Sequence, residues 1–441
     1  MGFSSGKSAG SRMGAWSFRR SSLVAELVAV AFVAALGVTS APLAFADDAP
    51  ANANAPKDTV REEVGKPLQA AQALMKDKKF KEALAKIHEA ELVPNRTPYE
   101  NFVIDQMRGS AAANDGQDEL ALSSYESVVQ SGRLVGDQKT KLELAIASTY
   151  FNKLKNYQKS ASWASNYMKD GGTDPVAQDI LINSHYLTND CTSALNELKN
   201  VEEADEKAGR TTTETHLDLL LTCYQKTKNV AGEGQVLEKL LVSYPKKDYW
   251  AMAISHLVHR PNFPERLDLD LLRLRFAMGD FKRDSDYMDM AQLALEAGFP
   301  AEAKKAVDQG YSSGVLGKGN DAERHKRLQA LVNKSAADDV KSVNAGDVEA
   351  DKAKTGDGMV NVGYNYVLNG KAEKGLALME QGIKKGGLKR PEDAKMLLGI
   401  AYYHAGDKQR AAQVLRTVQG SDGTGELAHL WAVFAAGPGH T

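Results

Sequence analysis

A pattern of small and apolar residues recurs along this 441-residue chain at intervals of 34 to 39 residues, and it leaves little freedom in the fold. The cleanest copy reads Leu398-Gly399-x-x-Tyr402, then Gly406-Asp407, then Ala411, Leu415 and Val418. The copy before it reads Val362-Gly363-x-x-Tyr366, Gly370, Gly375, Met379 and Gly382. Each describes two helices joined by a glycine turn. A small residue at Gly399 lets the second helix cross close to the first, Tyr402 fills the gap beside the crossing, and Ala411 meets it from the other side. Gly406 supplies the tight turn. Aligned on the small position of the second helix, the copies fall at Ala83, Ala121, Ser160, Ala194, Glu233, Ala303, Gly375 and Ala411, with successive spacings of 38, 39, 34, 39, 70, 72 and 36. The two long spacings are near twice the repeat, so degenerate copies are expected near 248–278 and 321–355, about nine helix pairs altogether. Leu427, Leu430, Trp431 and Phe434 then read as a C-terminal capping helix.

The pattern resembles that of tetratricopeptide repeat proteins over most of residues 65–437, with the best repeats at 67–94, 105–130, 144–170, 177–202, 217–245, 287–312, 359–386 and 395–420. Only 13 prolines interrupt stretches rich in Ala, Leu, Lys and Glu, which favours helix throughout. The resemblance implies an all-α, right-handed superhelical solenoid whose inner wall comes mainly from the first helix of each pair and receives a partner's peptide or helix. On this register the wall includes Gln72, Lys76, Gln106, Asn114, Asn152, Lys153, Asn183, Tyr186, Gln225, Lys226, Tyr364, Tyr403 and His404. Amides there pair with a partner's backbone and aromatics anchor it; the other reading is a wall of merely solvated residues.

The N-terminus reads as an export signal. Residues 1–22 are basic, residues 27–46 are uncharged, and Ala44-Phe45-Ala46 places small residues before a cleavage site, so cleavage is expected between Ala46 and Asp47. The alternative is retention of this segment as an anchor, which Pro42 opposes. Arg19-Arg20 lacks most of the context of twin-arginine export. No cysteine precedes Cys191, which excludes a lipid-anchored N-terminal cysteine on the exported chain. Residues 47–64 read as a flexible linker and 438–441 as a tail. The first 46 residues carry a net +3 from Lys7, Arg12, Arg19 and Arg20 against Glu26, so the formal −2 of the chain becomes −5 from Asp47 onward. That balance offers no footprint for nucleic acid or an anionic membrane. The expected location is the periplasm, with no integral membrane segment after cleavage.

No residue pattern supports catalysis, a metal or a cofactor: there is no phosphate-binding glycine loop, dinucleotide fingerprint or nucleophile elbow. His256 and His259 lie close in sequence but lack the further ligands of a zinc site. Asp284, Asp286 and Asp289 lack calcium-loop spacing and read as a solvated helix start. Cys191, opening the second helix of the fourth repeat, and Cys223, closing the first helix of the fifth, have two readings: a disulfide suited to an oxidising compartment, or two buried thiols.

Two segments carry a narrower resemblance. Tyr244-Pro245-Lys246-Lys247-Asp248-Tyr249-Trp250 and Lys385-Gly386-Gly387-Leu388-Lys389-Arg390-Pro391, with Ala394, Leu397, Tyr402 and Trp431 after the latter, are similar to exported proteobacterial repeat proteins that accompany the TonB–ExbB–ExbD system. That resemblance implies a non-catalytic envelope scaffold assisting energy transduction, with TonB–ExbB–ExbD components as partners. The departure from it is a low aromatic content in the middle repeats. Two other classes stand beside it: a glycan- or peptide-binding protein using the groove, for which clustered groove aromatics would speak, and a hydrolase, for which a buried carboxylate or histidine pair in a closed pocket would speak.

Overall fold

The computed structural model describes residues 58–260, 263–342 and 354–437. The signal segment, its cleavage site, most of the linker and the tail lie outside them. The chain is all-α, and eight helix pairs carry the repeat. They are α1 Glu62–Lys76 with α2 Phe80–Glu91, α3 Pro98–Asp115 with α4 Asp118–Gln130, α5 Gly136–Thr149 with α6 Tyr157–Lys169, and α7 Pro175–Leu187 with α8 Cys191–Lys207. The series continues with α9 Glu214–Lys226 and α10 Val230–Ser243. Then α11 Lys247–Val258 and α12 Asp268–Ala277 intervene before the pair α13 Asp284–Glu296 and α14 Pro300–Ser312. After α15 Ala322–Ser342 come α16 Asp357–Leu368 with α17 Ala372–Lys385, α18 Pro391–His404 with α19 Lys408–Arg416, and a last helix, α20 Thr424–Ala436.

The second helix of every pair begins three residues before its aligned small position. Ala83, Ser160, Ala194, Ala303 and Ala411 are fully buried there. The approach is closest between α16 and α17, where a Cβ on Gly375 would sit 2.4 Å from the Gly363 carbonyl oxygen. Two backbones touch at that point, and only glycine on both sides permits it. Glu233 is a correction: it is half-buried, and its neighbour Gly232 is the buried small residue, packed under the Tyr224 ring.

A second periodicity accompanies the first. Two residues before each second helix the backbone turns left-handed, at Lys78, Gly116, Lys155, Asn189, Lys228, Gly298, Gly370 and Gly406, with φ between 53° and 88°. This geometry returns the chain antiparallel within three residues. Glycine adopts it freely and lysine does not.

Of the two degenerate copies, the first holds two helices spaced apart and the second is described only in part. α11 packs on α10, and residues 259–267, including the 3₁₀ turn Glu265–Leu267, separate it from α12, which packs on α13 and α20. In the expected copy at 321–355 a single 21-residue helix, α15, packs on α14; residues 343–353 lie outside the described set.

The chain forms two compact units that divide between Val201 and Glu202, inside α8. Unit 1 is built locally: from α1 to α7 each helix packs on the next, and α1 and α5 also reach the first helix of the next pair. Its core is a row of small clusters, such as Leu68, Ala83, Ile87 and Ile104, then Leu122, Tyr125, Ile146 and Tyr150. Full burial of each such aliphatic side chain contributes about 1.5–3 kcal/mol. The entry to α1 is held by Arg61, which grips Glu100 of α3 through its backbone N–H and guanidinium at 2.8–3.0 Å. Glu100 also caps α3 by accepting from the Thr97 N–H at 2.8 Å. The Arg61 hydrogen bonds hold this carboxyl well below its usual range, at about 2.

Unit 2 departs from an open solenoid. Its last helix does pack on α19, as a cap should, and it also returns to the helices that begin the unit, packing on α10 and α12. Trp431 is fully buried and donates its indole N–H to the Asp270 carbonyl at 3.0 Å. Phe434 meets the Trp250 ring edge-on at 6.2 Å, and His429 faces Glu238 at 3.4 Å. Glu426 binds Arg260 and lies 3.2 Å from His256. Arg266 ties Asp393 at 3.0 Å and Asp422 at 2.7 Å. The unit is closed on itself.

The left-handed lysines give a direct test. Replacing Lys155 by glycine is expected to raise stability by about 0.5–1 kcal/mol, the strain relieved less the added freedom of the unfolded chain. Gly116→Lys should cost a similar amount. Urea midpoints that move in the opposite directions would contradict the assignment.

Candidate functional site

The expected wall residues divide by unit. In unit 1, Gln72 and Lys76 lie on α1, half-buried and exposed respectively. On α3, Gln106 is half-buried and Asn114 is exposed, its amide bonded to the Ser110 carbonyl at 2.8 Å. Asn152 and Lys153 are exposed in a π turn, Tyr150–Leu154, that ends the first helix of the third pair, and Lys153 is bonded to Asp118 of α4. Insertions of this kind push side chains outward and recur at functional surfaces. On α7, Tyr186 is half-buried, while Asn183 is buried and bonds its own helix at the Asp179 carbonyl. Unit 1 thus presents amides and lysines on successive first helices, with Asn183 withdrawn from the set.

In unit 2, Gln225 and Lys226 are exposed near the end of α9, and Gln225 donates to Glu233 at 3.1 Å. The three aromatic wall residues are drawn together instead. Tyr364 is fully buried, so it forms no groove wall; its ring lies 6.3 Å from the His404 ring, and Tyr403 lies 5.9 Å from His404 and 5.6 Å from Trp431. Packing across helices is the physical reason: Tyr364 is enclosed in the interior of unit 2 by Arg273, Phe299 and His404, while Tyr403 is half-buried against Trp431 and Phe434 of α20.

That interior holds a charged centre that the repeat pattern did not indicate. Arg273 of α12 is 4% exposed and binds Glu302 of α14, 3% exposed, with both Nε and Nη2, at 2.7–3.0 Å. Its Nη1 donates to Asp270 at 2.6 Å. The guanidinium sits between the Phe299 and Tyr364 rings, 5.2 and 5.0 Å from their centroids, and the Tyr364 hydroxyl donates to Glu302 at 3.2 Å. Burial pushes the Asp270 carboxyl up, against the opposing charge of Arg273. Burial also lowers His404 to about 4, so its imidazole is neutral at pH 7. A sequence signal existed: within Leu269–Phe276 the side chains are apolar apart from Asp270, Arg273 and Arg275, and a charge inside such a helix needs a buried partner. The arrangement can hold charge but leaves no group to react, because Glu302 and Asp270 are both engaged by Arg273.

In unit 1 burial raises two carboxyls, Asp105 and Glu143. Glu143 is 1% exposed, and burial together with its neighbour Asp170 pushes it up to about 7. Lys139 binds Asp170 at 2.7 Å and lies 3.8 Å from Glu143. No histidine or nucleophile is placed against this carboxyl by the contacts described.

The cysteines are buried thiols that are not joined in a disulfide, so the disulfide reading is corrected: Cys191 is packed at the start of α8 and Cys223 within α9. Among the described residues no group of three His, Cys, Asp or Glu converges as a metal site. His256 is held between Glu233 and Glu426, which raise it, while His259 is exposed and bonds the Ser255 carbonyl. Asp284 opens α13. Asp286 is buried rather than solvated, accepting from the Arg283 and Lys282 N–H groups and pairing with Arg275. Asp289 is exposed beside a cleft.

Removing one member of the buried centre should cost far more than removing the pair. Glu302→Gln leaves Arg273 without its main partner and is expected to destabilise unit 2 by about 3–5 kcal/mol. Arg273→Met with Glu302→Leu should fall well short of that. Equal losses in thermal and urea denaturation would mean that the centre is not the buried ion pair described.

No family model and no curated protein matches this chain. Among solved structures it is similar to a tetratricopeptide repeat protein from Parabacteroides merdae, at 12% identity and a TM-score of 0.28 over 77% of this chain and 99% of that one. It is also similar to a structure of Naa15/Naa10 bound to HypK-THB, at 14% identity and a TM-score of 0.30, covering 81% of this chain and 58% of that one. Yeast Tom70 follows at 13% identity and a TM-score of 0.23, over 84% and 95% of the two chains. Scores this low superpose the chain on none of them, and the repeat assignment rests on its own packing.

Proposed function

We propose that this chain is a non-catalytic scaffold of the bacterial cell envelope that holds a protein partner on the first-helix wall of unit 1. The observation that supports the reading is the contrast between units. Lys76, Asn114, Asn152 and Lys153 stay exposed on successive first helices, whereas in unit 2 only Gln225 and Lys226 of the expected wall are exposed and Tyr364 is enclosed. Exposed amides and ammonium groups at repeat spacing suit the backbone and acidic side chains of a partner segment. The buried carboxylates of Glu100, Asp286 and Glu302 are bound by Arg61, Arg275 and Arg273, which speaks for structure over hydrolysis.

Envelope location rests on the signal-like N-terminus, and the narrower role, assistance to TonB–ExbB–ExbD energy transduction, rests on the two similar segments alone. In the first of these, Tyr244 donates to the Thr212 carbonyl at 3.0 Å and Tyr249 bonds Asp218 at 2.9 Å. In the second, the Gly386 carbonyl accepts from the Gly356 N–H at 2.9 Å. These residues join helices, so what the segments share is a way of building the joint between repeats.

The test is a crosslinked pull-down of the tagged chain from envelope fractions, beside a variant carrying Lys76→Ala, Asn152→Ala and Lys153→Ala. A reproducible protein partner is expected, with recovery reduced at least about fivefold by the variant. Recovery of TonB, ExbB or ExbD homologues supports the narrower role, and a different partner discards it. If no protein is captured under conditions that preserve known complexes, the wall serves a glycan or small ligand and the proposal fails.

A further inference from the structure

Unit 2 carries a cleft of about 640 Å³ at the junction where the repeat spacing breaks. It lies between the end of α11, the 3₁₀ turn, α12 and α13. Val258, Phe263, Leu271, Leu272 and Leu293 supply its apolar surface, and Glu265, Asp268 and Asp289 its carboxylates. The volume falls within the ~300–1,000 Å³ of ordinary binding pockets. Its apolar side chains do not all find cover within the fold: Val258 is 49% exposed.

The charge is one-sided. Among the described residues Arg260 is the one cation lining the cleft, and its guanidinium is committed elsewhere, to Glu426 and to the Ser421 carbonyl at 2.8 Å. Around it the carboxylates of unit 2 are matched: Asp270 and Glu302 by Arg273, Asp286 by Arg275, Asp393 and Asp422 by Arg266. No ion pair or hydrogen bond is found for the side chains of Glu265, Asp268 and Asp289 among the described residues. Glu265 and burial both raise the Asp268 carboxyl, the response of an acid that lacks a cation. The three do not converge tightly enough to hold a metal ion. An apolar surface edged by unpaired acids complements an apolar side chain flanked by ammonium or guanidinium groups.

We propose that this cleft is a docking site for a partner's peptide segment in which an apolar residue is flanked by lysine or arginine. The inference deepens the scaffold reading and rests on it, adding a second contact of stated chemistry. The apolar side chain enters between Leu272 and Leu293, and the flanking cations meet Glu265, Asp268 and Asp289 at the edge.

The experiment is fluorescence anisotropy on the full chain with three labelled probes: Gly-Lys-Leu-Lys-Phe-Arg-Gly, its counterpart with Glu at every basic position, and its counterpart with Ala for Leu and Phe. The first should bind and weaken several-fold between 0.15 and 0.5 M salt, as interactions between partly exposed charges are screened. The other two should bind at least tenfold more weakly. Glu265→Gln with Asp268→Asn and Asp289→Asn should weaken the first probe at least tenfold, while Glu323→Gln with Glu373→Gln, outside the cleft, should not. Leu272→Asn should also weaken it, with circular dichroism reporting that the fold persists. Absence of binding by the first probe, equal binding of all three probes, or unchanged binding by the cleft variants overturns the proposal. If the cleft fails while the wild-type chain still captures a protein partner, the scaffold reading stands without it; if capture fails too, both fall.

Discussion

The structure of unit 2 depends on the return of α20 to helices laid down some 160 residues earlier, where the Trp431 indole meets the Asp270 carbonyl and Glu426 meets Arg260. In an open repeat array each pair touches only its neighbours, and the inner wall stays wet. Here a helix that is apolar on nearly every face brings the two ends of the unit together. Leu427, Leu430 and Trp431 are buried between them. Where the ends meet, Tyr403 packs against Trp431 and Phe434. Deeper in the unit, between α12, α14 and α16, water is excluded and a charge must find a partner inside, which is the situation of Arg273, Glu302 and Asp270.

This accounts for what the repeat pattern revealed and what it concealed. The small position of each second helix was legible because a close crossing tolerates only small side chains, and the constraint is local. The left-handed turn was legible at Gly370 and Gly406 and hidden at Lys78, Lys155, Asn189 and Lys228, where a residue that resists the geometry is held in it by the packing of the pair. At Glu233 the register holds, three residues into α10, but the close packing against Tyr224 is made by its neighbour Gly232.

The candidate site was legible in unit 1 and misread in unit 2 for one reason. Facing in a helix pair follows from periodicity, but whether the faced space is solvent depends on contacts between residues of different pairs, such as Arg273, Phe299 and Glu302 around Tyr364. Tyr364 occupies the expected face and is enclosed there. The interruption of the spacing at 246–290 was visible in the sequence, yet it read as a degenerate repeat. The structure makes it a change of construction: α11 and α12 are spaced apart, the cleft opens beside them, and α20 uses the room to dock. The two cysteines show the same limit, since proximity in a repeat register is not sulfur-to-sulfur geometry.

Closure of unit 2 is therefore the claim on which the assignment of an open wall to unit 1 rests. Its most direct measurement is chemical crosslinking with a short bis-maleimide of a chain carrying Glu238→Cys and His429→Cys, with Cys191→Ala and Cys223→Ala to remove the native thiols. The side chains at 238 and 429 lie 3.4 Å apart in the closed unit. The account predicts near-complete intramolecular linkage at dilute protein concentration, and its loss when Trp431→Ala is added. A folded chain that stays unlinked would contradict it, because the ends of unit 2 would then stand apart and Tyr403 would lose its cover from Trp431 and Phe434.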